Sequence, residues 1–114
     1  MKTVTVGVSS VKEVQSRTAA AFRGQRQGAH ISFASEDILW KTISPKRWTI
    51  LKSMAGQGPM AIREIARRVK RDVRAVHSDV HVLIDTGLIE RADDGGFQFP
   101  YDAIHVNFVL RSAA

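Results

Sequence analysis

Residues 62–91, IREIARRVKRDVRAVHSDVHVLIDTGLIER, hold two helical patterns separated by three polar residues. In the first, Ile62, Ile65, Ala66 and Val69 recur at helical spacing; in the second, Val76, Val80, Leu83 and Ile84 do. Lys70-Arg71-Asp72 connects them. Asp72 is placed to cap the second helix, and Gly87 to end it in the left-handed conformation. Two helices joined by so short a turn predict a helix-turn-helix. Val76, Val80 and Leu83 hold one side of the second helix inward, so the opposite side projects outward. That side carries Arg74, His77, Ser78 and His81, with Arg71 just before the helix. A helix with its side chains is roughly 10–12 Å across, and the major groove of DNA is roughly 12 Å wide.

The flanks extend this pattern. Ser35 with Glu36 and Asp37 predicts a helix with Ile38, Leu39 and Ile43 inward. Ser44-Pro45 starts another, with a stripe of Trp48, Leu51 and either Ile50 or Met54 that ends at Gly56-Gln57-Gly58-Pro59. Trp40 and Trp48, beside Leu39 and Leu51, read as core residues. After Gly87, Leu88-Ile89-Glu90-Arg91 and Phe97-Gln98-Phe99 flank Asp93-Asp94-Gly95-Gly96, a hairpin signal. Val4, Val6 and Val8 alternate with small or polar residues as a strand does. Ser10 to Glu13 fits a capping box, and Val11, Val14, Thr18, Ala21 and Phe22 follow at helical spacing. His30 to Phe33 and Ile104 to Leu110 predict further strands. The expected fold is mainly α with small β. A winged helix-turn-helix over residues 35–114, with a three-helix core and a β-hairpin wing, follows a strand–helix–strand extension over residues 1–34. That extension is too small to bury a core alone, so it is expected to pack on the rest or to dimerise. The expected dimer surface is Val4, Val6 and Val8, the helix face bearing Val14 and Phe22, and the Ile104–Leu110 strand.

Composition narrows the chemistry. The chain has 114 residues, 44% hydrophobic, with no cysteine, which excludes disulfides, thiol nucleophiles and Cys-bearing zinc sites. No run approaches the roughly 18 apolar residues of a membrane span, and the alternating N-terminus lacks the apolar block of a signal peptide. A cytoplasmic protein is expected. The net charge of +6 is unevenly spread. Ten basic residues fall within 41–74 against only Glu64 and Asp72, whereas 75–114 is acidic. Such a concentration favours an anionic partner. No glycine-rich phosphate loop, nucleophile elbow or His-Glu-x-x-His motif occurs, so no enzymatic activity and no cofactor are expected.

On these residues the chain resembles known regulators. Ile65-Ala66-Arg67-Arg68-Val69, Asp72, Val76, Leu83 and Gly87-Leu88-Ile89-Glu90-Arg91 are similar to winged-helix transcription regulators of the broad MarR/ArsR type. Ser44-Pro45-Lys46-Arg47-Trp48, Ile62-Arg63-Glu64-Ile65-Ala66, Arg71-Asp72-Val73, Val76-His77-Ser78-Asp79-Val80 and Pro100-Tyr101-Asp102 resemble a narrower group. These are small prokaryotic DNA-binding regulators, often proposed as antitoxin-like partners of a neighbouring toxin.

The resemblance implies double-stranded DNA as the partner, with Arg71, Arg74, His77, Ser78 and His81 facing the groove. Arg74 suits bidentate contact with guanine O6 and N7. Lys46, Arg47, Arg63, Arg67 and Lys70 would contact phosphates, which position the protein without reading sequence. Ala75 and Ser78 are short, so base readout is expected to be sparse. The wing tip Asp93-Asp94 is acidic, which leaves Arg91 as the wing's contact. His77 and His81 share a helix face at metal-ligand spacing, but a structural or catalytic zinc needs further ligands, so no metal is expected. The functional expectation is a dimeric repressor or autoregulator. A second reading is an antitoxin-like module that sequesters a protein partner, with DNA binding secondary. RNA, as another polyanion, is a third.

Overall fold

A computed structural model describes residues 2–8 and 29–109. The expected helix over 11–23, its capping box and Leu110 lie outside the described residues. In chain order the elements are β1 (Thr3–Val8), β2 (Ala29–Phe33), α1 (Glu36–Thr42), α2 (Pro45–Met54), α3 (Ile62–Val69), α4 (Val73–Thr86), β3 (Glu90–Arg91), β4 (Phe97–Gln98) and β5 (Ala103–Asn107). The architecture is mixed α/β, with more organised sheet than a mainly α reading implies.

The terminal strands form one sheet in the order β2-β1-β5, with both pairs parallel. Val4 aligns with Ala29 and Ile104, and Val6 with Ile31 and Val106. One face is therefore apolar, while Thr5, His30 and His105 share the other. Val4 and Val6 on the central strand are wholly buried within the chain. The expected dimer surface built on them is corrected: their area is already covered by the chain's own core. Gly7 is required where β1 passes β5, because a Cβ there would lie 2.5 Å from the Asn107 carbonyl oxygen. Asp102 fastens the start of β5 to the start of β1: Lys2 N–H donates to its carboxylate at 2.9 Å, and its own N–H donates to the Lys2 carbonyl at 2.7 Å.

The helices begin where the cap residues predict. Ser35 Oγ accepts from the Ile38 N–H, and Ser44 caps α2 with Pro45 in its first turn. Leu39 of α1 and Ile43, its C-cap residue, are the inward positions, one helical turn apart. Ile38 and Trp40, each adjacent to Leu39, point elsewhere and remain 47% and 49% exposed, which corrects their assignment to the core. Trp40 meets Phe108 edge-on at 5.7 Å instead. Ile50, Leu51 and Met54 from α2, Ile65 and Ala66 from α3, and Val76, Val80 and Leu83 from α4 join Val4, Val6, Leu88, Ile89, Phe97 and Phe99 in a single core.

The three-residue connection between α3 and α4 turns on Lys70, whose φ of 58° is left-handed. Its N–H donates to Arg67 O, and the Arg71 N–H to Ala66 O. A lysine Cβ is strained in that conformation. Lys70→Gly is therefore expected to raise stability by about 1 kcal/mol, read as a higher urea midpoint at unchanged slope.

After Gly87 (φ 91°), β3 and β4 pair antiparallel, with Glu90 opposite Gln98 and Arg91 opposite Phe97. Asp93 to Gly96 close the hairpin. An addition not evident from sequence is Met60, which exchanges both backbone hydrogen bonds with Phe97 at 2.8 Å and ties the hairpin to the α2–α3 loop.

Candidate nucleic-acid interface

The geometry of α4 follows from its two ends and its inner stripe. The Asp72 carboxylate accepts from the Arg74 and Ala75 N–H groups at 3.0 and 3.3 Å, which fixes the first turn. Gly87 closes the last turn, its N–H donating to Ile84 O and Leu83 O. Val76, Val80 and Leu83 have no exposed surface. Arg74, Ala75, His77 and Ser78 are exposed, and His81 is half-buried. One side of α4 is thus anchored and the arginine–histidine side faces solvent.

Asp79, on the flank of α4, organises the surroundings. Its Oδ1 accepts from Arg47 Nε at 3.0 Å, and its Oδ2 forms an ion pair with Arg71 Nη1 at 2.8 Å. All three side chains are largely enclosed, at 22%, 21% and 15% exposure for Arg47, Arg71 and Asp79. Arg47 also donates from Nη1 to the Lys41 and Thr42 carbonyls at 3.2 and 3.0 Å, which satisfies the open C-terminal end of α1. One carboxylate therefore links the end of α1, the start of α2, the turn before α4 and the middle of α4. The sequence placed Arg47 and Arg71 among the DNA contacts. Here both are held against Asp79.

Glu64 does the same for α3 on the surface. Its carboxylate accepts from the Arg67 guanidinium and from Arg68 Nε at 2.8 Å. Those two arginines hold the Glu64 carboxyl down to about 2 from an ordinary 4.5. The sign follows: the pairing's contribution to stability is complete above the ordinary carboxylate range and is lost as pH falls toward 2. At neutral pH Glu64 thus remains ionised and offsets part of the positive charge of Arg67 and Arg68. Glu64→Gln keeps the shape and removes the negative charge that offsets the two guanidiniums. It is expected to make the salt dependence of polyanion binding steeper by about one unit in the log–log slope.

Six of the ten basic residues in 41–74 have no carboxylate partner among the described residues, and two of them, Lys41 and Lys52, lie in the last turns of α1 and α2. Lys46, Arg63, Lys70 and Arg74 are exposed and form no ion pair among the described residues. They occupy the first turns of α2, α3 and α4 and the turn between α3 and α4. α3 starts at Ala61 without a side-chain cap, whereas the first turn of α4 is bonded to Asp72. Free N–H groups able to meet an anion therefore lie at α3, beside Arg63. On the hairpin, Arg91 is exposed with its guanidinium 5.6 Å from the Phe97 ring centre, and Asp93 and Asp94 are exposed at the tip.

His77 and His81 form a pair, with Nε2 atoms 3.1 Å apart and ring centres 4.3 Å apart. His81 also meets the edge of Phe97 at 6.5 Å, which places it where α4 touches the hairpin. Among the described residues no three His, Cys, Asp or Glu side chains come together as metal ligands, and no helix is long and apolar enough to cross a membrane.

The HVO_A0114 family model matches residues 42–106, more than half of the chain and all of the α2–β4 region that builds this surface. Two solved structures align with the chain. A predicted DNA-binding transcriptional regulator from E. coli superposes with a TM-score of 0.52 at 20% identity, over 82% of this chain and 86% of that one. A protein with unknown function from Listeria innocua Clip11262 gives 0.46 at 20% identity, over 77% of this chain and 61% of that one. No curated protein matches the chain.

Proposed function

The chain belongs to the HVO_A0114 family, and we propose that it is a sequence-specific DNA-binding transcriptional regulator of the winged helix-turn-helix type. In this reading it acts without enzymatic activity, as a dimeric repressor or autoregulator in the cytoplasm. The observation that carries the reading is the division of α4: Val76, Val80 and Leu83 are spent in the core while Arg74, His77 and Ser78 are presented outward. A convex helix with that face fits the major groove. Lys46, Arg63 and Lys70, unpaired on neighbouring turns, supply phosphate contacts, and the uncapped α3 N-terminus adds N–H donors. The fold shared with the E. coli protein, a predicted DNA-binding transcriptional regulator, is in keeping with this assignment.

A single helix reads only a few base pairs, so two copies on a palindrome, with half-sites about 34 Å apart, supply the remaining specificity. With Val4 and Val6 enclosed, apolar area for a second copy remains at Ile38, Trp40 and Val109. These exposed apolar side chains also favour a second reading, in which a protein partner of antitoxin-like type docks on them and DNA binding is secondary. Copurification with the product of an adjacent gene would support it.

The test is a binding titration on DNA from upstream of the protein's own gene, at several salt concentrations, with RNA of equal length as competitor. For a dimer the slope of log K against log salt is expected near about −4 to −7. Absence of binding at low salt, or displacement by RNA as readily as by duplex DNA, would overturn the assignment.

A further inference from the structure

We propose that His77 and His81 form a two-histidine chelate for a borderline divalent transition ion, Cu2+, Ni2+ or Zn2+, on the outward face of α4. The site lies within the surface read above as the DNA-contacting face, but its existence does not depend on DNA binding. The spacing of the two nitrogens suits one shared ion. The two Nε2 atoms lie 3.1 Å apart. An ion at the usual metal–nitrogen distance of roughly 2.0–2.1 Å from each would subtend about 100° between them, which suits adjacent positions in tetrahedral or square-planar coordination.

The positioning has two sources. The i,i+4 spacing on α4 stacks the side chains on one face, and that helix is fixed by the Asp72 cap and by Val76, Val80 and Leu83 beneath. The half-buried His81 ring is also braced by the edge of Phe97 from the hairpin. Little ordering therefore remains to be done when an ion binds, which favours a chelate over two independent imidazoles.

Without metal, one Nε2–H must donate to the other ring's nitrogen, because two unprotonated Nε2 lone pairs at that distance repel. Coordination removes this conflict: both Nε2 lone pairs bind the ion, and the remaining proton of each neutral ring resides on Nδ1. The described residues provide no third His, Cys, Asp or Glu ligand. The remaining coordination positions are open to water or to a donor from another molecule. Such a site exchanges its ion readily and is neither a structural zinc nor a catalytic centre. While it is filled, neither Nε2 remains to contact a base edge, so metal and base contacts through these two side chains exclude one another.

The experiment uses the full chain and the metal chloride alone. Calorimetric titration is expected to give one ion per chain, with Cu2+ bound more tightly than Zn2+. His77→Ala and His81→Ala should each weaken binding by about tenfold or more, while His105→Ala, on the polar face of the sheet, should leave it unchanged. Histidine ring resonances in the NMR spectrum provide a second measurement on the unmutated protein: Zn2+ should shift those of His77 and His81 together, ahead of His30 and His105. Equal binding by wild type and His77→Ala, or Zn2+ shifts led by His30 or His105, would overturn the proposal. Metal binding that persists in a protein without DNA affinity would overturn the regulator reading and leave this one standing.

Discussion

Replacing Asp79 by alanine is expected to destabilise the protein by about 2–4 kcal/mol, near the lower end of what removing one partner of a buried ion pair costs. For a chain of this length that lowers the thermal midpoint by roughly 8–17 °C. The reason is the arrangement left behind. Arg47 and Arg71 are both about four-fifths enclosed, and Asp79 is the anion that both contact. Two guanidinium groups would then share a confined space without a counter-charge, and helix α1, α2 or α4 would have to shift to let water in. Asp79→Asn retains the volume and one acceptor for Arg47 Nε, so a smaller loss is expected. A cost below about 0.5 kcal/mol in urea unfolding would mean that solvent screens the cluster as it does surface pairs. A double-mutant cycle with Arg47→Ala should show strong coupling, since the two residues share one bond.

Arg74→Ala is expected to reduce discrimination between the cognate DNA site and a mismatched one by about 1–3 kcal/mol, a factor of roughly 5 to 150. Arg74 is exposed, carries no carboxylate partner and stands on the outward side of the first turn of α4. Its planar fork can meet two acceptors on one guanine edge, which lysine cannot reproduce. Lys46→Ala, on the first turn of α2, should instead weaken all sequences alike and reduce the salt slope by about one. The check is a pair of titrations, cognate and scrambled, for each variant. Identical behaviour of the two variants would remove the distinction between reading and positioning.

Much of the helical part was legible because each device is local. Ser35, Ser44, Asp72 and Gly87 act on backbone groups within a few residues, and the stripe Val76, Val80, Leu83 is a period that any window of sequence reveals. What escaped was set by contacts between distant segments. Arg47 and Asp79 are 32 residues apart, and nothing around either announces the other. Met60 lies in a glycine–proline loop and joins the hairpin only because the chain brings it beside Phe97. Trp40 read as core because its neighbours are apolar. In a helix of seven residues the adjacent Leu39 and the later Ile43 already fill the inward side. The valines of β1 alternate as a half-buried strand should, yet the pattern could not say whether this chain or a second copy covers them.

The parallel sheet also has a bearing on synthesis. β1 leaves a ribosome about 100 residues ahead of one of its two neighbours, β5, since Lys2 and Asp102 are joined across 100 positions of sequence. Until β5 emerges, one side of an apolar strand has no native companion, a condition that invites wrong association. Any fusion or truncation that removes Ala103 onward makes that transient vulnerability permanent.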